Sequence, residues 1–347
     1  MDNYSKVRFY IANPLLVLQS EKPGLHLSSK MWIMPDSGDK DRSMYSLSTC
    51  WNARNYTDGR AMLEEVRSLG FEYAELGHNT RISLLEGIFD AIKNGVVKIS
   101  SVHNFCPLPV GVEHSAPNIF QFSSDDPREH ERAINQTKKT LEFAARVGAP
   151  LMVTHFGSIR IHDYSARLLP LVNARMQNTP RYERMVMEVS EYLELAKEEW
   201  FERSCQALEQ LIPEAKRLGV KIGIENREGL NELPLDADFM TLFDRFPQPE
   251  VVYWHDTGHA QIKENYGFIN HFFQIDNMLG RMYGSHIHDC VYPVGDHCPP
   301  GEGDIDFELL KPLFKPTHLK VLEMNPAVKA ENIRAGLAHI KSILGDE

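Results

Sequence analysis

The chain lacks several features that would fix its class at once. It has no Cys-x-x-Cys pair, no low-complexity tract and no apolar run of membrane length. In the opening "MDNYSKVRFYIANPLLVLQS" the apolar run is broken by Asn13 and Pro14, and no small-residue cleavage site follows. It reads as neither a signal peptide nor a membrane span. The five cysteines, Cys50, Cys106, Cys205, Cys290 and Cys298, are odd in number and spread along 347 residues. That argues against a disulfide scaffold and for a reducing compartment. Positive charge is also short: 37 Lys and Arg stand against 48 Asp and Glu, a net charge of −11. Such a chain is a poor general partner for nucleic acid or an anionic membrane. A cytoplasmic enzyme is the expectation that these absences leave.

What is present is a rhythm. Residues 1–43 are rich in turn residues and charge, and are expected to form an irregular arm. From residue 44 to 347 we expect one domain. Short apolar runs recur at 44–51, 71–77, 96–105, 150–157, 220–226, 251–256, 282–289 and 318–325. Helical patterns lie between them, at 58–70, 128–148, 181–219 and 330–344. Asp58 stands at the start of the first, and Gly70 and Gly148 stand just past the ends of the first two, the usual capping asymmetry. Apolar strands separated by helices indicate a parallel sheet covered on both faces. Eight such units make a (β/α)8 TIM barrel. An open doubly wound sheet is the alternative, but no Gly-x-Gly-x-x-Gly follows the first strand. The connections at 106–127 and 158–180 are longer than a barrel needs, which suits loops that shape a substrate site.

The strand ends carry the chemistry. The third run ends at His103, the fourth at His155, the fifth at Glu225 and the sixth at Asp256, with His259 just beyond. The seventh carries His286, His288 and Asp289, and the eighth carries Glu323. Barrel strands aim their C-terminal ends into one mouth. Carboxylates crowded there would repel unless a cation joined them, and carboxylates with imidazoles are oxygen and nitrogen ligands of Mn²⁺, Zn²⁺, Co²⁺ or Mg²⁺. No cysteine is required. His288 is expected to take a supporting or structural role rather than that of a ligand. Trp51 and Phe105 sit at strand ends; Trp51 is the candidate to stack on an apolar substrate face, and Phe105 reads as barrel packing.

The stretches "IGIEN" (222–226), "HDTGH" (255–259), "HIHD" (286–289), "PPGEGDID" (299–306) and "LEMNP" (322–326), in this order, resemble the xylose isomerase-like barrel superfamily of sugar epimerases, inosose dehydratases and endonuclease IV-type proteins. The resemblance implies that Glu225, Asp256, His286 and Glu323 ligate one divalent metal. It makes Glu225 and Glu323 the acid/base pair that moves a proton. His259 matches a substrate-contacting histidine in epimerases or a further metal ligand in the endonucleases. His103, His155 and His297 fall where the endonucleases hold additional zinc. Those proteins space the Asp and His of that last segment two apart, whereas Asp296 and His297 are adjacent, which puts Asp296 in doubt as a ligand.

The implied activity is isomerisation or epimerisation of a small sugar or polyol, by proton transfer next to a carbonyl through a metal-stabilised enediolate. A lyase or dehydratase acting on a keto-sugar uses the same chemistry. A multi-zinc endonuclease fits the histidines but not the charge: Lys and Arg do not cluster, and Cys106 stands where those proteins carry Tyr. The arm and the 181–219 helix offer surfaces for a second copy, since family members are often dimers or tetramers.

Overall fold

The computed structural model describes residues 43–345 apart from residue 163. The expected arm lies outside the described residues but for Ser43. Each apolar run folds as a strand: β1 (Tyr45–Ser48), β2 (Tyr73–Leu76), β3 (Lys98–His103), β4 (Leu151–Thr154), β5 (Lys221–Glu225), β6 (Val251–Asp256), β7 (Met282–Ile287) and β8 (Leu319–Leu322). All pair in parallel with the next, and β8 returns to β1, so the sheet closes into a (β/α)8 barrel.

Period-two alternation explains where the site must form. Leu151 and Val153 face inward on β4, Val252 and Trp254 on β6, and Leu319 and Val321 on β8; together they make one buried plug. Two residues further along each strand, the next inward positions are His155, Asp256 and Glu323. An apolar floor thus gives way to polar groups at the C-terminal rim. Gly284 on β7 admits the floor's largest side chain: a Cβ there would lie 2.6 Å from Trp254 Cζ3 and 2.6 Å from the Leu319 carbonyl oxygen. Gly284→Ala should therefore cost about 1–3 kcal/mol by overpacking, read as a lower urea midpoint.

The helices follow their caps. Asp58 accepts the Arg60 N–H to open Gly59–Ser68, and Gly148 takes φ 76° to end Pro127–Val147. The long helical pattern at 181–219 divides into Pro180–Ala196 and Glu198–Leu218. No Gly or Pro marks the break; Lys197 sits there and pairs with Asp238, 2.5 Å away. The two long connections differ. The chain from 106 to 126 contains no regular element, while 158–180 contains the helix Ser165–Asn173. Beyond β7, a hairpin of Asp289–Val291 and Gly295–Cys298 lies at the rim and carries Asp296 and His297. No helix among the described residues is long and apolar enough to cross a membrane.

Candidate metal centre

Four inward residues meet at the rim. Glu225, Asp256, His286 and Glu323 are buried, and one donor atom from each lies within 4.8 Å of those of the others. The His286 imidazole is their hub. Its Nδ1 is 2.7 Å from Glu225 Oε1, 3.2 Å from Glu323 Oε2 and 3.6 Å from Asp256 Oδ2. Parallel register puts Asp256 beside His286, which is why two distant segments supply neighbouring donors.

Electrostatics in the cluster oppose burial and win. Burial raises each carboxylate, yet Arg227 and hydrogen bonds from His103, His155 and His286 hold Glu225 well below the usual range. Asp256 is held low against burial by the charges of His259 and His288, and Glu323 by His286 and His297. In return His286 is raised against burial by Glu323 and Glu75. Three carboxylates thus meet around one imidazole nitrogen.

A ring of supports surrounds these four. Glu75 was not expected from the sequence; it is fully buried on β2, accepts from Ser101 Oγ at 2.8 Å and lies 3.1 Å from His286 Nε2. It orients the imidazole so that Nδ1 faces the carboxylates. His288 places Nε2 3.0 Å from the Asp256 carboxylate and stacks on His297 at 4.1 Å. Asp256 also caps the next helix by accepting the His259 N–H at 2.8 Å. Asp289 takes no part in the cluster. It accepts the N–H groups of Cys290, Gly301 and Ile305, pinning the segment after the hairpin.

The remaining candidates form two satellite groups. His103, His155 and Glu225 have donor atoms within 4.8 Å of one another, as do His259, Asp296 and His297. Adjacent Asp296 and His297 can both reach the second group because His297 has φ 55°, which turns the chain sharply between them. A second unforeseen residue lies between the groups. The buried Arg227 donates from Nη1 to Glu225 Oε2 at 3.0 Å and from Nε to Glu232 Oε1 at 3.1 Å. The same Nη1 is 3.3 Å from His259 Nδ1. His155 Nε2 lies 3.1 Å from that same Glu225 oxygen, and His155 is pushed down to about 4, by burial first and then by the Arg227 charge.

Trp51 is not brought to the mouth. It is buried in the hydrophobic core and donates from Nε1 to the Val328 carbonyl at 2.8 Å. Its neighbour Cys50 is there instead, with His78 and Glu323, all three donors within 4.8 Å of one another. These residues line a cavity of about 460 Å³. Glu113, His114 and Ser115, from the 106–127 connection, form part of its wall. Tyr164, Arg167 and Leu168, from the 158–180 connection, line a separate cavity of about 220 Å³.

Residues 63–343 match the xylose isomerase-like TIM barrel. The chain belongs to that family. Among solved structures, this xylose isomerase-like barrel is similar to a D-tagatose 3-epimerase-like protein, at 16% identity and TM-score 0.60, covering 87% of this chain and 98% of the other. It is similar to 3-keto-D-glucoside 4-epimerase from E. coli, at 14% identity and TM-score 0.60, covering 87% and 100%. D-psicose 3-epimerase from Clostridium cellulolyticum matches at 14% identity and TM-score 0.59, covering 87% and 99%. At these identities the likeness is one of fold. A sequence search among proteins of curated function finds no match.

Proposed function

We propose that this xylose isomerase-like barrel is a divalent-metal-dependent isomerase or epimerase of a small sugar or polyol. The observation that carries the reading is the convergence of Glu225, Asp256 and Glu323 on His286 Nδ1, with Glu323 in the wall of the cavity. The oxygen-rich donor set with one imidazole fits Mn²⁺, Co²⁺, Zn²⁺ or Mg²⁺. Bound there, the ion would act as a Lewis acid on a hydroxy-carbonyl substrate and acidify the adjacent C–H. Glu225 and Glu323 then divide the proton work: one carboxylate takes the proton and the other returns it. Against burial, the cations facing them hold both carboxyls well below the usual range. His259 and His155 are the candidates to polarise substrate hydroxyls. A lyase acting on a keto-sugar would begin with the same proton abstraction.

The satellite histidines suit a multi-metal hydrolase, but Arg227 favours a single ion. Its guanidinium rests on the Glu225 oxygen that His155 faces, so a fixed positive charge stands where a second cation would need to be. Net acidity also weighs against a nucleic-acid substrate.

The test is hydrogen exchange. With Mn²⁺ or Co²⁺ and a panel of keto- and aldo-sugars in D₂O, at least one sugar should gain deuterium next to its carbonyl. No uptake on any member of a broad panel would remove the proposal. Glu75 offers a finer check as a positioning residue. Glu75→Gln should weaken metal affinity about 10–100-fold, measured by competition with a chelating dye, because His286 loses the carboxylate that fixes its ring.

A further inference from the structure

The cavity wall holds two cations that pair with no carboxylate among the described residues. Arg54 and Arg81 both line it, as does Glu323. Arg54 donates from Nη2 to the Pro326 carbonyl at 3.3 Å. Arg81 donates from Nη2 to the main-chain carbonyls of Ala53, at 3.2 Å, and Tyr56. Arg81 Nε is buried with no hydrogen-bond partner among the described residues. Glu113 shares the wall but is exposed and pairs with neither. Some arginines elsewhere are paired with acids. Arg60, Arg217, Arg227 and Arg245 each contact one or more carboxylates.

The geometry points to an anionic substrate: we infer that the sugar carries a carboxylate or phosphate, which Arg54 and Arg81 bind while its carbonyl end faces Glu323. Guanidinium is the side chain best matched to such planar or tetrahedral anions, and its charge cannot be removed by deprotonation. The carbonyl contacts hold each fork in place without neutralising it, so little ordering remains to be done on binding. A cavity of about 460 Å³ accommodates a hexose-sized acid. This deepens the isomerase reading and rests on it for the polyhydroxy part of the substrate.

The experiment has two arms. In the first, deuterium uptake is followed with a neutral ketohexose, its 6-phosphate and the corresponding ketohexuronate. One acidic sugar should show a KM at least about 10-fold below the neutral one, consistent with one charge-assisted contact. Arg54→Gln and Arg81→Gln should each erase most of that preference, raising KM for the acid more than for the neutral sugar with kcat changed less. Arg54 is exposed, so its variant should fold even if loss of the Arg81 contacts unsettles the 53–56 turn. Which acid wins distinguishes carboxylate from phosphate. In the second arm, gluconate, glucitol 6-phosphate and glucitol are titrated calorimetrically without turnover. The acids should bind more tightly than glucitol, and Arg54→Gln should remove the difference. Acid binding without exchange on any sugar would leave the anion site standing and remove the isomerase reading. Exchange on the neutral sugar with no preference for acids, or a preference that survives both substitutions, would overturn the anion site alone.

Discussion

Glu323→Gln is expected to lower kcat for proton exchange by about 10²–10⁴-fold, the usual contribution of a positioned general acid or base. Two features make this the cleanest substitution at the centre. Glu323 faces the cavity, and its closest partner is His286 Nδ1 at 3.2 Å, whereas Glu225 also serves Arg227 and His155. A glutamine of the same shape keeps an oxygen for the ion but cannot take a proton. Metal content at saturating Mn²⁺ should therefore persist while deuterium uptake collapses. Retained turnover with metal bound would show that Glu323 is a ligand only, and would move the acid/base work elsewhere.

Arg227→Met should cost about 3–5 kcal/mol of stability, the scale seen when one partner of a buried ion pair is removed. The reason is local. Glu225 and Glu232 would both lose their guanidinium contact, and Glu232, now held down to about 2 against burial chiefly by Arg227, would have to take a proton or leave the interior. Urea unfolding of the variant against wild type reads this directly. A second consequence follows from the geometry of His103, His155 and Glu225, whose donors already lie within 4.8 Å of one another. With the guanidinium gone, Zn²⁺ should restore part of the lost stability by binding there, since a ligand that binds only the folded state stabilises it by mass action. A variant as stable as wild type would mean that Arg227 balances no essential charge.

The fold was legible because the two relevant periods are strong here. Every one of the eight apolar runs became a barrel strand, and the acidic and imidazole residues at their ends converged as the common strand direction requires. The supports were harder to see, for two different reasons. Glu75 sits inside "FEYAELG", between Ala74 and Leu76, where a lone acid reads as a solvent-facing position; only the inward turn of β2 beside His286 gives it a role. Arg227 lies past the end of β5, in irregular chain with no periodicity to read. Its signal was parity: Lys221, Gly223, Glu225 and Arg227 alternate with the outward residues, so the arginine follows the glutamate inward. Glu225 divides its oxygens, with Oε1 toward His286 and Oε2 toward Arg227.

Trp51 shows the opposite limit. Aromatic residues at a strand end fit both a sugar platform and core packing, and the choice depended on a main-chain acceptor contributed by Val328, 277 residues away. Asp296 and His297 depended on one backbone angle, which spacing alone does not reveal. In both cases long-range or local backbone geometry decided what residue type left open.

The most direct measurement is the metal content of the purified chain after dialysis against Mn²⁺, for wild type and for His286→Ala. The account predicts one tightly held divalent ion in wild type and its loss in the variant, because the hub that faces all three carboxylates is gone. A wild-type chain that takes up no ion, or a variant that keeps it, would contradict the assignment of Glu225, Asp256, His286 and Glu323 as a single cation site.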